Sequence, residues 1–252
     1  HIDDLLFEPP AEFVSVFMDW KAPRMNSVWI GKKYWPHNND NNTAPAIAAT
    51  CYSAPHISGN QFHPVPGQDP VACVQTGYGP WTDKVNHFLP HHPPSSAGNE
   101  IQAEYFVPAA EGKAALEALW KIRNEFKDVV QITELRAIAQ DHLPLSQAKD
   151  GPMLAIHFTL VKTPPEILNP ILTQTQAVLK AYDYKIHWGK WFVCSGTEIE
   201  QMYDRDGDLQ ILRQLIQQHD PKGRFSNDFL QTYIFNNNDD GGNDGKAAAE
   251  EG

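Results

Sequence analysis

From residue 100 onward the chain alternates two hydrophobic periods, and their order constrains the fold more than any other feature. Ile101, Ala103, Tyr105 and Val107 alternate with Gln102, Glu104 and Phe106, the period of two that marks a strand, and Pro108 closes it. Residues 110–126 then carry Leu116, Leu119, Trp120, Arg123 and Phe126 at helical spacing. A second strand covers 129–138 and a third 153–161, the latter with Ile156, Phe158 and Leu160 on its apolar side. Pro164 and Pro165 open a second helix that runs to Tyr182; Pro170 lies near its first turn, where proline costs least. A last strand is predicted over 185–193. The order strand, helix, strand, strand, helix, strand is the split βαβ arrangement, a ferredoxin-like βαββαβ core. It predicts an α+β fold: an antiparallel sheet with both helices on one face.

Covering one face leaves the other free, and strand parity says which residues it carries. They are Gln102, Glu104, Glu134, Arg136, His157 and Thr159. Glu134 and Arg136 are the sharpest case, since an acid and a base two residues apart on an apolar strand are rarely buried unless paired or used on a ligand. Three strands separately place hydrogen-bonding side chains on that face. A solvated sheet face would carry more lysine and threonine and less histidine and glutamine. The mixture of donors and acceptors points to a ligand-binding sheet, with packing against another domain as the bland alternative. Lys190 shares parity with Ile186, Trp188 and Phe192, so parity leaves its side open.

The remainder is less regular. Residues 12–18 and 27–30 are strand candidates joined by a turn at Lys21–Arg24. Residues 36–60 read as an irregular surface insertion within an asparagine- and proline-rich stretch. His63, His87, His91 and His92 match no ligand spacing, so no metal site is expected. Asp204 to Asp208 resembles a calcium loop only briefly: the glycine is misplaced, and Leu215 stands where the closing glutamate belongs. Residues 206–219 are an amphipathic helix with Leu209, Leu212, Leu215 and Ile216 on its stripe, and Arg224 to Tyr233 form a short closing segment. The asparagine-, aspartate- and glycine-rich tail 236–252 reads as disordered.

Composition excludes some classes. The net charge of -11 over 252 residues argues against a nucleic-acid partner. No run approaches the roughly 18 apolar residues of a membrane span. Cys51, Cys73 and Cys194 are odd in number and unpaired in spacing, so neither a disulfide framework nor a zinc site is suggested. A cytoplasmic protein is expected. The chain opens on His1, which suggests a processed product or a fragment.

His187-Trp188-Gly189-Lys190, followed by Asp220-Pro221-Lys222-Gly223-Arg224-Phe225-Ser226-Asn227, resembles the C-terminal half of the FAD-dependent sugar alcohol and aldonolactone oxidases, flavoproteins of the vanillyl-alcohol-oxidase type. The stretches His63 to Gly67, Gly79 to Trp81, Glu100 to Pro108, Thr133 to Arg136 and Ile156 to Thr159 are similar to the alditol (xylitol) oxidase branch; the D-arabinono-1,4-lactone oxidases share the His187 to Lys190 motif. The resemblance covers nearly all of residues 10–232. It implies that residues 1–200 are a substrate-binding cap domain and that 201–235 return to an FAD domain. Gln102, Glu134, His157 and Thr159 would bind a polyol, and Arg136 and Lys190 would serve the reacting hydroxyl. His187 and Asn227 are the candidates for cofactor contact. The implied reaction oxidises a terminal CH–OH with FAD as cofactor and O2 as acceptor. The family's flavin-domain motifs, a glycine/serine-rich pyrophosphate loop and a flavin-linking histidine, are absent from these residues, so a missing N-terminal FAD domain is the expected partner. The chain alone is expected to be inactive. An aldonolactone oxidase and a non-catalytic sugar-binding module are the alternatives.

Overall fold

The computed structural model describes residues 13–31, 50–51, 54–55, 63–65, 79–80 and 99–237. Most of the 36–60 insertion, the histidines from His87 to His92 and the tail from Asn238 lie outside the described residues.

The strands are β1 (Phe13–Met18), β2 (Ser27–Gly31), β3 (Thr50–Cys51), β4 (Ala54–Pro55), β5 (Glu100–Pro108), β6 (Val130–Ile138), β7 (Met153–Val161) and β8 (Lys185–Ile186). The helices are α1 (Gly112–Ile122), α2 (Pro165–Leu179), α3 (Gly196–Tyr203) and α4 (Asp208–His219). Six strands form one sheet in the order β2-β1-β6-β7-β5-β8, and each neighbouring pair is antiparallel. The β3–β4 pair stands apart as a two-residue ladder. The fold is α+β, and the N-terminal hairpin adds two strands to the four that the periodicity indicated.

One sheet face carries the core. Ala103, Tyr105 and Val107 of β5 lie opposite Phe158, Ile156 and Leu154 of β7. Leu135 of β6 faces Ile156, and Val16 of β1 faces Leu135. Ala115 and Leu119 of α1 and Leu168, Leu172 and Leu179 of α2 close over this face. Close approach is possible because Gly112 has no side chain: a Cβ there would lie 2.9 Å from Leu154 Cδ2. Trp20, fully buried beside Phe126 and Phe158, donates its indole N–H to Thr133 Oγ1 at 2.8 Å, which satisfies the one polar residue that β6 turns toward the helices.

Three expectations need correction. The last strand is only Lys185–Ile186 rather than 185–193. A tight turn follows, with Lys190 N bonded to His187 O at 3.2 Å, and the chain rejoins the β5 edge through Trp191 N on Gln102 O at 2.8 Å. Leu215 is exposed; the buried stripe of α4 is Leu209 with Leu212 and Ile216 packed beside it. Helix α3 was not expected, although Ser195 and Glu198 spell its capping box: Ser195 Oγ accepts from Glu198 N, and the Glu198 carboxylate accepts from Ser195 N.

Candidate active site

The register of β5, β6 and β7 assembles the other face. Glu134, His157 and Glu104 stand in one row across the three strands, and Thr159 lies opposite Gln102. Arg136 follows Glu134 by two residues on the same face. Gln102, Glu134, Arg136, His157 and Thr159 are thus brought together as parity predicted. Lys190 joins them from the turn after β8, because the turn breaks the strand period and frees the side chain from parity.

Glu104 is the centre of the arrangement and is 3% exposed. Its Oε1 accepts from Arg136 Nη1 at 3.1 Å and its Oε2 accepts from Lys190 Nζ. Arg136 Nη2 also donates to Glu134 Oε2, and Glu134 Oε1 accepts from Ser15 Oγ at 2.6 Å. Two carboxylates therefore face two cations, with Glu104 buried and Glu134, Lys190 and Arg136 partly open to solvent, so the one buried charge is paired. The charge states reflect it. Burial alone would lower the Arg136 pKa, but the Glu134 and Glu104 carboxylates hold its guanidinium above the ordinary range. Lys190 is pulled below the usual lysine value, first by burial and then by Arg136, against the opposing effect of Glu104.

A second chain of bonds runs beside the first. Gln102 Nε2 donates to Glu100 Oε1 at 2.7 Å, which orients the amide so that its Oε1 faces His157 Nε2 at 3.2 Å. His157 is held far below its usual pKa, by burial first and then by Lys190, Arg136 and His187. A neutral ring that donates through Nε2 has Nδ1 as an acceptor.

Apolar clusters bound the polar strip at both ends. Phe106, Met153 and Ala155 with Ala148 lie at one end, and Phe17, Ile132 and Val65 at the other. His187 sits at the first of these, its ring stacked near Phe106 at 6.2 Å and its Nδ1 accepting from Gly189 N at 3.0 Å. Asn227 is not brought to the sheet: it is exposed, and its Oδ1 caps Leu230 N at 2.9 Å within its own segment. Two residues of the cluster had no role in the sequence reading. Glu104 shares the parity of Gln102, so its place was legible but its use was not. Ser15 had no signal, because nothing local shows that β1 pairs with β6.

The set offers fixed donors and acceptors at short intervals and carries no excess charge. It suits a neutral ligand rich in hydroxyls. It does not suit a diphosphate, which would need uncompensated cations or a cradle of backbone N–H groups.

Comparison with known proteins agrees with this chemistry. Residues 99–233 match the family described as D-arabinono-1,4-lactone oxidase. The chain is 35% identical over 224 residues to an alditol oxidase from Streptomyces sp. (strain IKD472 / FERM P-14339), a match that covers 88% of this chain and 50% of that protein. The chain thus spans about half the length of this relative.

Proposed function

The chain belongs to the D-arabinono-1,4-lactone oxidase family, and from that premise we propose that it is the substrate-binding part of a flavin-linked oxidase acting on a terminal CH–OH of a sugar alcohol. The observation that carries this reading is the charge-balanced polar cluster centred on buried Glu104 on the uncovered sheet face. In this reading residues 1–200 form a cap domain on a ferredoxin-like core, and residues 201–235 lie against a flavin-binding half. FAD would be held by that other half, because the polar face described here does not fit its diphosphate. When bound, FAD would supply hydride acceptance and reoxidation by O2.

The residues of this chain bind and orient. Lys190 spends one N–H on Glu104 and has two left; Arg136 spends two of five on Glu104 and Glu134. The remaining N–H groups favour negative charge developing on the reacting hydroxyl oxygen. Glu134 and Gln102 accept from hydroxyls further along the chain. His157 Nδ1 and Thr159 Oγ1 bind the distal hydroxyls and so measure length.

The test uses the chain completed with the half of the Streptomyces enzyme that it does not align with. Peroxide release from xylitol or sorbitol is expected to exceed release from a γ-lactone. The reverse preference would favour a lactone oxidase, the reading that the matched family's description favours. Arg136→Ala or Lys190→Ala should lower kcat by about a hundredfold, the usual loss of one such donor; near-normal turnover would remove the assigned roles.

A further inference from the structure

We propose that Glu104 is a positioning residue of this site, whose two carboxylate oxygens hold the Arg136 guanidinium and the Lys190 ammonium side by side toward the same substrate hydroxyl. This rests on the reading of the polar face as the substrate site. Glu104 is the group through which the two cations are joined: Oε1 takes Arg136 at 3.1 Å and Oε2 takes Lys190. Strand β5 also ties down the turn that carries Lys190. His187 N donates to Glu104 O at 3.1 Å on one side of the turn, and Trp191 N donates to Gln102 O at 2.8 Å on the other. The same short stretch of strand, Gln102 to Glu104, thus holds the turn by its backbone and the lysine by its side chain. A lysine stem is flexible and its ammonium is a point charge, so its direction comes from what it is bonded to.

The charges around Lys190 say what the carboxylate does besides holding. Glu104 faces it from β5, Arg136 and Glu134 from β6, His157 from β7, and His187 from its own turn. Two of these are acids. Without Glu104, Lys190 would stand beside Arg136 in a buried site with Glu134 as the remaining counter-charge, and Glu134 is already bonded to Arg136 and Ser15. Lysine could then relieve the repulsion by releasing its proton, and a neutral amine no longer stabilises a developing alkoxide. An ion pair that merely braces the sheet would hold the lysine's proton as well, but its loss would leave kcat unchanged.

Glu104→Gln keeps the shape and removes the charge. In the completed protein, kcat for xylitol is expected to fall at least about tenfold with KM changed far less. The alkaline limb of kcat should move down by about one pH unit or more, the usual effect of losing an opposite charge at this distance. With Lys190 already changed to Met, the same substitution should cost less than it does in the parent, because residues acting as a unit are not additive. An unmoved alkaline limb, or equal losses in both backgrounds, would overturn the proposal. Should Glu104→Gln fail to fold, Glu104→Asp keeps the charge and withdraws it by one methylene. That variant is expected to lose kcat without an alkaline shift, and wild-type kcat would count against positioning. A readout independent of turnover separates this proposal from the functional one. The pH dependence of Lys190 acetylation in the 252-residue chain, followed by mass spectrometry, should shift to lower pH in Glu104→Gln. If the completed protein oxidises neither polyol nor lactone, the functional reading fails, and the acetylation curve still shows whether Glu104 holds the Lys190 charge.

Discussion

His157 shows how one residue can report on the whole polar face. It is 7% exposed, and its ring is kept neutral by burial and by the cations Lys190 and Arg136. The unfolded chain takes up a proton near the ordinary pKa of 6.5, and the folded chain does so only well below it. The unfolded state therefore binds more protons between those two values, and stability rises with pH across that window. The stabilisation is present above pH 6.5 and is lost as pH falls toward the folded pKa. From pH 6.5 to 5.5 the loss from this one group is about 1 kcal/mol. His187, also held low by burial, adds to the loss in the same direction. Urea unfolding at these two pH values should give a steeper fall for the parent than for His157→Gln, which keeps a donor for Gln102. Parallel curves would mean that His157 already protonates in the folded chain at pH 5.5.

At the scale of elements, the turn at 187–190 separates what local pattern reveals from what it conceals. Side-chain alternation is a local property, so Glu134, Arg136, His157 and Thr159 could be assigned to one face before any pairing was known. Lys190 could not, because Ile186, Trp188 and Phe192 continue the apolar period through a break in the strand. The break is made by long-range partners: Trp191 N bonds to Gln102 O, and Gln176 of α2 clamps Val193 from the other layer. Gln176 Oε1 accepts from Val193 N at 2.9 Å, while its Nε2 donates to Val193 O at 2.5 Å, in the manner of a neighbouring strand. The same Oε1 accepts from Tyr105 OH at 3.2 Å. No spacing rule reveals that a helix residue 17 positions away replaces a ladder partner. A buried group left without its partner costs about 1–3 kcal/mol. Gln176→Leu strands the amide and carbonyl of Val193 together with the Tyr105 hydroxyl, so the chain should lose about 3 kcal/mol or more. The check is the urea midpoint at constant m-value; a loss under about 1 kcal/mol would mean that water replaces the glutamine.

The whole molecule uses its sheet asymmetrically, with helices and aromatic residues on one side and a charge-balanced polar strip on the other. That division was legible from residue 100 onward because both faces of β5 and β7 are written in one alternating sequence. Assembly beyond the sheet was not, and α4 shows why. Its buried stripe begins at Leu209, yet Ile211 is 53% and Leu215 47% exposed, four residues apart on a second stripe, and Phe225 beyond the helix is 82% exposed. Sequence alone cannot tell a stripe packed inside a chain from one that meets another surface, since both need the same spacing. The match of this chain to half of a longer oxidase makes the second surface a concrete expectation. Leu215→Lys tests it in two settings. In the 252-residue chain the change removes little packing, so stability should move by less than about 0.5 kcal/mol. On the proposed reading, the same lysine in the completed protein meets the flavin-binding half, where a charge without a partner is costly. The urea midpoint of the completed protein should then fall measurably, with the sheet site untouched. Equal midpoints in variant and parent would mean that the second stripe is solvated in the completed protein as well.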